Sequence, residues 1–434
     1  MFSARVWKTI TGKVVYGTTC LLAAVTLAVS FYAHKVVTLV SDTERGIAIS
    51  GPGSSSVGAM NILVMGLESR TNFYGQPLPP ALITAMHTGA VGGQDPNTLI
   101  LIHIFAGGQK AEGISIPRDD LVAYPAQFYP GVTGGKVDQA YDFAYAESLN
   151  QTANVTMSTS ERYLKANQAG QAATVDTVES VTGVHVDHFV EVNLAGFYSL
   201  AQVFGGIEVC VKPWNDGENF HDANSGWNAV ADGYNLKKGG NQYLHLSAPQ
   251  ALAYVRDRDS LPQVDLDRTH RQQAVLDYVT WALKNENYFS DVAKLTALLD
   301  TAGQYLITDS TFNLLDFATD MHAMSGSNIT FQTLPISGQV NNYPLNGSLQ
   351  DVNTIALPYV RQFVKDAFYP APAASKPPVK NTAASTQSAG SRLIGTHASP
   401  ATSASPPPTP GNDGQTGGAV TVPPNAKYGV PCVY

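Results

Sequence analysis

Four short apolar runs constrain this chain more than any other feature: "MNILVMG" (60–66), "TLILIHIF" (98–105), "EGISIP" (112–117) and "GIEVCV" (206–211). Each is bounded by turn-forming residues and carries little polar alternation. A strand exposed on one face alternates apolar with polar side chains, whereas one buried on both faces does not. Between the runs lie stretches at 169–182, 194–204, 266–285 and 353–368, where apolar residues recur nearer to every 3.6 positions than every 2. Strands buried on both faces and interleaved with helices predict an α/β fold with the sheet as its inner layer. With 434 residues, 44% of them hydrophobic, the chain has material for one large domain or two ordinary ones, plus tails.

The flanks have a different character. Arg5, Lys8 and Lys13 precede the uncharged run "VVYGTTCLLAAVTLAVSFYAH", which ends before Lys35. A run of about 20 such residues matches the bilayer core. It exceeds the core of a usual signal peptide, which argues for an uncleaved anchor rather than cleavage after Ala28-Val29-Ser30. Basic residues before it, with Asp42 and Glu44 beyond it, predict a cytoplasmic N-terminus (1–13), a transmembrane helix (14–34), a linker (35–58) and an exported body (59–370). Residues 371–434 are rich in Pro, Ala, Ser, Thr and Gly, a composition that buries too little apolar surface to order itself. They read as a disordered tail, except that the final "YGVPCVY" regains apolar character and is able to dock. Cys20 falls inside the anchor. That leaves Cys210 and Cys432 as a candidate disulfide pair in an oxidising compartment.

The formal net charge of −8 and a charged fraction of 14% offer no basic face for a nucleic acid backbone, so anion recognition has to be local. The stretch "ALAYVRDRDSLPQVDLDRTHRQQ" (251–273) carries Arg256, Arg258, Arg268 and Arg271. Ser247-Ala-Pro-Gln250 has the capping-box pattern, so a short helix should end near Arg256. A second helix starting near Asp265 or Leu266 would put Arg268, Arg271, Gln272 and Val275 on one stripe. A core-facing stripe does not begin with two arginines. The alternative is a solvated face paired with Asp257, Asp259, Asp265 and Asp267. Arg70 and Arg118 follow strand ends, where ligands collect in layered α/β folds. Several guanidinium groups converging on one cleft suit a pyrophosphate better than a carboxylate or neutral sugar. No GxxxxGK[ST] segment is present for a P-loop site, and no Cys/His spacing suggests zinc. His103 and His188 lie in buried-looking strands and read as satisfied structural histidines, and Tyr141 and Tyr254 read as core.

Taken in order, "NILVMGLESR" (61–70), "NTLILIHI" (97–104), "ISIPRDD" (114–120), "GGKVDQAYDFA" (134–144), "VDHFVEVNLAGFYSLAQVFGGIEVCV" (186–211) and the arginine stretch resemble the LytR-CpsA-Psr family of bacterial envelope phosphotransferases, in its actinobacterial forms. The resemblance implies an αβα sandwich with a mixed central sheet. It implies transfer of a glycan phosphate from a polyprenyl-pyrophosphate carrier to a peptidoglycan hydroxyl, outside the cytoplasmic membrane and with Mg²⁺ on the pyrophosphate. By motif, Arg118, Arg256 and Arg258 would be catalytic, and Arg70, Lys136, Arg268, Arg271 and Gln272 would bind substrate. Lys136 stands in "KVDQAY", where Asp138 occupies the family's asparagine position. Around the metal the family carries aspartates where this chain has Glu68 and Asn97. An asparagine amide brings oxygen without charge and is no base, so Asp95, two residues earlier, is the candidate substitute. Asp119 reads as an arginine-orienting partner. The departures leave two further readings open: a catalytically weakened polyprenyl-pyrophosphate-binding scaffold, and a pyrophosphatase that uses water as acceptor.

Overall fold

A computed structural model of the chain describes residues 44–47, 49, 58–72, 74–86, 93–108, 110–213, 221–222, 227–228, 240–312, 328–370 and 426–434. The expected cytoplasmic segment, the anchor, most of the linker and residues 371–425 lie outside them. Among the described residues no helix is long and apolar enough to cross a membrane.

Seven strands form the central sheet: β1 (Glu44–Arg45), β2 (Met60–Leu67), β3 (Pro96–Ile104), β4 (Lys110–Ser115), β5 (His188–Asn193), β6 (Leu306–Thr308) and β7 (Asn328–Thr333). Their spatial order is β1-β6-β5-β2-β3-β4-β7. The pairs β1/β6, β5/β2 and β4/β7 are parallel, and β6/β5, β2/β3 and β3/β4 are antiparallel, so the sheet is mixed. The described helices are α1 (Pro80–Ala85), α2 (Gln139–Gln151), α3 (Thr159–Thr182), α4 (Leu194–Val203), α5 (Ala248–Arg256), α6 (Asp265–Asn285), α7 (Val292–Tyr305) and α8 (Leu357–Phe368).

Alternation along the strands sends side chains to two different layers. Leu63 and Met65 of β2, Leu99 and Leu101 of β3 and Phe189 of β5 pack with Tyr141 of α2, Val178 of α3 and Val364 of α8. Val64 and Gly66 of β2, Ile100 of β3 and Val192 of β5 face instead toward α4, α5 and α6. Helices therefore cover both faces, as the unalternating runs predicted. Helix α3 begins with Ser158 accepting from the Glu161 amide and stops at Gly183, whose φ of 74° suits a residue without a Cβ. Within α3, a Cβ on Gly170 would sit 2.4 Å from the Tyr141 ring, so glycine lets α2 and α3 approach closely.

The fourth predicted strand goes elsewhere. Ile207–Val211 joins a separate three-stranded sheet, antiparallel to Gln242–Leu246 and parallel to Cys432–Val433. Cys210 and Cys432 form a disulfide, and Val430 and Val433 are buried against this second core. The last nine residues thus belong to the folded body rather than to a disordered tail. Apolar burial and strand pairing secure them, which corrects the boundary expected at 370. Both histidines have structural partners: His103 Nδ1 meets Asn61 Oδ1 at 2.7 Å, and His188 Nδ1 meets Asp309 Oδ2 at 3.1 Å.

Candidate active site

Strand polarity brings the site together. The C-terminal ends of β2, β4 and β5 and the start of β3 lie at one edge of the sheet. Glu68 and Arg70 follow β2, Asn97 opens β3, and Arg118 follows β4 beyond Pro117. Helix α5 is capped at its start, where Gln250 Oε1 accepts from the Ser247 amide at 2.9 Å and the Ser247 hydroxyl at 2.8 Å, and it delivers Arg256 at its other end. Arg258 follows in the connecting loop. That loop ends at Val264, whose φ of 48° is strained for a β-branched residue. The turn of chain it makes starts α6, and the first two turns of α6 bring Arg268 and Gln272 to the same edge.

Between the sheet face and α4, α5 and α6 lies a cavity of about 320 Å³. Its inner wall is apolar, with Val64, Ile100, Val192, Phe197, Leu252 and Val275. Gly66 contributes no side chain, and a Cβ there would lie 3.0 Å from Thr98. The mouth is formed by Glu68, Asn97, Arg118, Arg256, Arg258, Arg268 and Gln272, with Asp259 beside them.

The charges at the mouth are tied in one chain. Arg256 Nη2 donates to Glu68 Oε1 at 2.8 Å and Arg70 Nη2 to the same oxygen at 2.9 Å. Asn97 Nδ2 donates to Glu68 Oε2, and Arg118 Nη1 donates to Asn97 Oδ1. Burial by itself would raise the Glu68 carboxyl, but Arg256 and Arg70 hold it below the usual range. Arg118 Nε reaches Asp265 at 3.2 Å and Asp119 at 3.5 Å. Burial opposes its charge, yet Asp265, Asp119 and Asp138 outweigh that, so the guanidinium stays charged. Arg268 pairs with Asp265 at 3.1 Å, and its Nε has no hydrogen-bond partner among the described residues.

Seven of the residues singled out in the sequence thus surround one space. Two others stand one step behind it: Arg70 orients Glu68, and Lys136 Nζ holds Asp119 Oδ1 at 2.6 Å. Arg271 is not among them. Only 3% exposed, it donates to Asp257 Oδ2 at 2.7 Å, the Tyr254 carbonyl at 3.2 Å and the Tyr434 main-chain oxygen at 2.6 Å, and it lines neither the cavity nor the recess beside it. Nor is Asp95, which is half-buried beside Asp142 and lies outside the cavity wall; burial, with that hydrogen bond and the charges of Asp138 and Asp142, pushes its carboxyl up to about 9. Asp265 was overlooked as a site residue. Its signal was its place in the first turn of α6, three residues before Arg268.

The residues expected around magnesium do not assemble as its ligands. Glu68 accepts from Arg256, Arg70 and Asn97, Asn97 accepts from Arg118, and Asp95 stands beside Asp142 outside the cavity wall. Among the described residues no group of three or more His, Cys, Asp or Glu side chains is arranged to hold a metal ion. The arrangement is instead an anion site: guanidinium groups at the mouth of an apolar cavity suit a ligand with a phosphate head and a hydrocarbon tail.

Several known proteins are similar to this chain. The sequence profile of the LytR_cpsA_psr family matches residues 30–356. The cell wall biosynthesis protein LcpA of Corynebacterium glutamicum is 31% identical over 289 residues, covering 66% of this chain and 51% of LcpA. The match therefore spans about half the length of that relative. The polyisoprenyl-teichoic acid–peptidoglycan teichoic acid transferase TagU of Oceanobacillus iheyensis is 25% identical over 284 residues, covering 65% of this chain and 69% of TagU. Among solved structures, a LytR-Csp2A-Psr enzyme from Actinomyces oris aligns with a TM-score of 0.47 and 18% identity, over 75% of this chain and 96% of that one.

Proposed function

The chain belongs to the LytR-CpsA-Psr family, and on that premise we propose that it is a membrane-anchored phosphotransferase of cell-wall assembly. It moves a glycan phosphate from a polyprenyl-pyrophosphate carrier to a peptidoglycan hydroxyl. One observation carries the reading: the apolar cavity opens through a mouth lined by Arg118, Arg256, Arg258 and Arg268. The isoprenoid occupies the cavity, and the guanidinium groups take the pyrophosphate. During transfer the leaving lipid phosphate gains charge, and fixed cations placed there lower the barrier. In the free protein Glu68 holds Arg256, Asp265 holds Arg118 and Arg268, and Asp259 pairs with Arg258; pyrophosphate competes for them on arrival. The names of LcpA and TagU, a wall biosynthesis protein and a transferase to peptidoglycan, support the same direction. The uncharged run at 14–34 with its basic leading flank supports anchoring with the body outside the cytoplasm.

A second reading keeps the lipid site without efficient transfer. It is favoured by Asn97, an amide tied to Glu68 and Arg118 where the family carries a carboxylate. The test is to incubate purified protein with a polyprenyl-pyrophosphate glycan and peptidoglycan, and to follow release of polyprenyl phosphate and attachment of glycan. Arg118→Ala and Arg258→Ala should each lose about 10²–10³ in rate, the usual effect of removing one charge-stabilising donor. Tight lipid binding without turnover supports the scaffold, and polyprenyl phosphate release without attachment supports hydrolysis.

A further inference from the structure

The apolar cavity is not the only opening onto the arginines. Beyond Arg118 and Arg268 lies a smaller recess of about 30 Å³. Asn97, Arg118, Arg268 and Gln272 line both spaces, so they form the partition between them. The two sides differ in chemistry. One is mostly apolar carbon; the other is mixed, with Asp119, Asp265, Thr269, Gln339 and Asn353 set among Leu99, Ile116, Leu266 and Ile336. A hydrocarbon chain gains by entering the first, whereas a hydroxyl-rich neutral group keeps its hydrogen bonds only in the second.

Arg268 adds an independent sign that a ligand is missing from the partition. It is 7% exposed, and its Nε lacks a hydrogen-bond partner among the described residues. A buried N–H left unpaired is costly and rare, and a ligand at the partition would satisfy it. Phosphoryl transfer also requires the attacking and leaving oxygens to lie roughly in line on opposite sides of the phosphorus.

We propose that the recess, with room for one hydroxyl-sized group, admits the attacking hydroxyl of the acceptor glycan, and that Asp119 takes its proton. The inference rests on the phosphotransfer reading above. The acceptor oxygen forms a bond to the glycan-side phosphorus. The bridging P–O bond breaks, its electron pair leaves with the polyprenyl phosphate, and the hydroxyl proton moves to the Asp119 carboxylate. Asp265 is held ionised between Arg118 at 3.2 Å and Arg268 at 3.1 Å. Burial, together with the facing charge of Asp265, raises the proton affinity of Asp119. Lys136 Nζ, 2.6 Å from Asp119, fixes the carboxylate in place. Lys136 is thereby a positioning residue.

Ile336 and Gln339 stand in the recess wall and not in that of the apolar cavity. Ile336→Trp and Gln339→Trp should each raise the acceptor KM at least tenfold, while the Kd for farnesyl pyrophosphate changes less than twofold. Asp119→Asn should lower kcat for transfer about 100-fold or more, the scale of general base catalysis, and abolish the acidic limb of the pH profile. An unchanged acceptor KM in both tryptophan variants would overturn the subsite. A retained acidic limb in Asp119→Asn would overturn the proton acceptor. If the unaltered protein fails to bind farnesyl pyrophosphate, the phosphotransfer reading itself falls and takes this inference with it, a result distinct from an unchanged acceptor KM.

Discussion

Replacing Arg271 separates the arginines that hold the fold from those that hold substrate. Arg271 and Asp257 are 3% and 0% exposed, and their ion pair spans 2.7 Å. The guanidinium also lies 4.3 Å over the Tyr254 ring and bonds two main-chain oxygens. Arg271→Met keeps the apolar stem but strands the Asp257 carboxylate in the interior. Losing one partner of a buried pair costs about 3–5 kcal/mol. The double variant Arg271→Met/Asp257→Asn removes the stranded charge and leaves an amide that still accepts from Ser260, so it should recover most of that loss. Urea unfolding measures the stability of each variant, and titration with farnesyl pyrophosphate measures the site. In contrast, Arg268→Met should weaken that ligand by about 10–100-fold, as expected for a charged hydrogen bond worth about 1.5–3 kcal/mol. An Arg271→Met variant as stable as the parent but unable to bind the ligand would refute the reasoning and return Arg271 to the phosphate site.

Three further outcomes are expected. The disulfide joins residues 222 positions apart, a loop for which the chain-entropy relation gives about 5 kcal/mol and measured cases about 2–5. Cys432→Ser should therefore lower the urea midpoint accordingly, and reductant should then have no further effect; an unchanged midpoint would contradict the docking of the chain's last residues. Glu191 is buried against Gln171 and Tyr141, and burial pushes its carboxyl up to about 7 from 4.5. A raised folded-state pKa means stability is full below about pH 4.5 and declines as pH rises toward 7, by about 3 kcal/mol for this group. Glu191→Gln should flatten that slope in unfolding curves across the range, and an identical slope would assign it to other groups. Asn97→Asp should create Mg²⁺ affinity by pairing a second carboxylate with Glu68, visible as a rise in Tm with added Mg²⁺ that the unaltered protein lacks; equal shifts in both would show that Asn97 is no obstacle to the metal.

How far the fold was legible follows from which forces are local. Unalternating runs announced β2, β3 and β4 because burial on both faces is written residue by residue. Nothing in "GIEVCV" says which strand it pairs with, so its place in the smaller sheet with Cys432–Val433 depended on partners far along the chain. The capping box located α5 almost to the residue, and the arginine stripe located the start of α6, which has no side-chain cap. On α6, Gln272 and Val275 fall within about 40° of Arg268 around the axis, and Arg271 about 60° to one side. That offset places Arg271 at the edge of the stripe, where a neighbour decides its partner, and the neighbour is Tyr434 from the chain's far end. Asp95 shows a similar dependence: its two-residue offset from Asn97 suggested a substitute ligand, but its hydrogen-bond partner Asp142 comes from another segment. Asp265 was visible as a helix-start acid; its role as the counter-ion of both Arg118 and Arg268 emerges only when β4 and α6 meet.

The most direct test of the central claim is a structure of the protein with a prenyl pyrophosphate bound. The pyrophosphate should lie between Arg118, Arg256, Arg258 and Arg268, displacing the Arg256 guanidinium from Glu68, with the hydrocarbon chain against Val64, Ile100 and Phe197. A pyrophosphate seated away from these arginines, or an isoprenoid outside that cavity, would contradict the account.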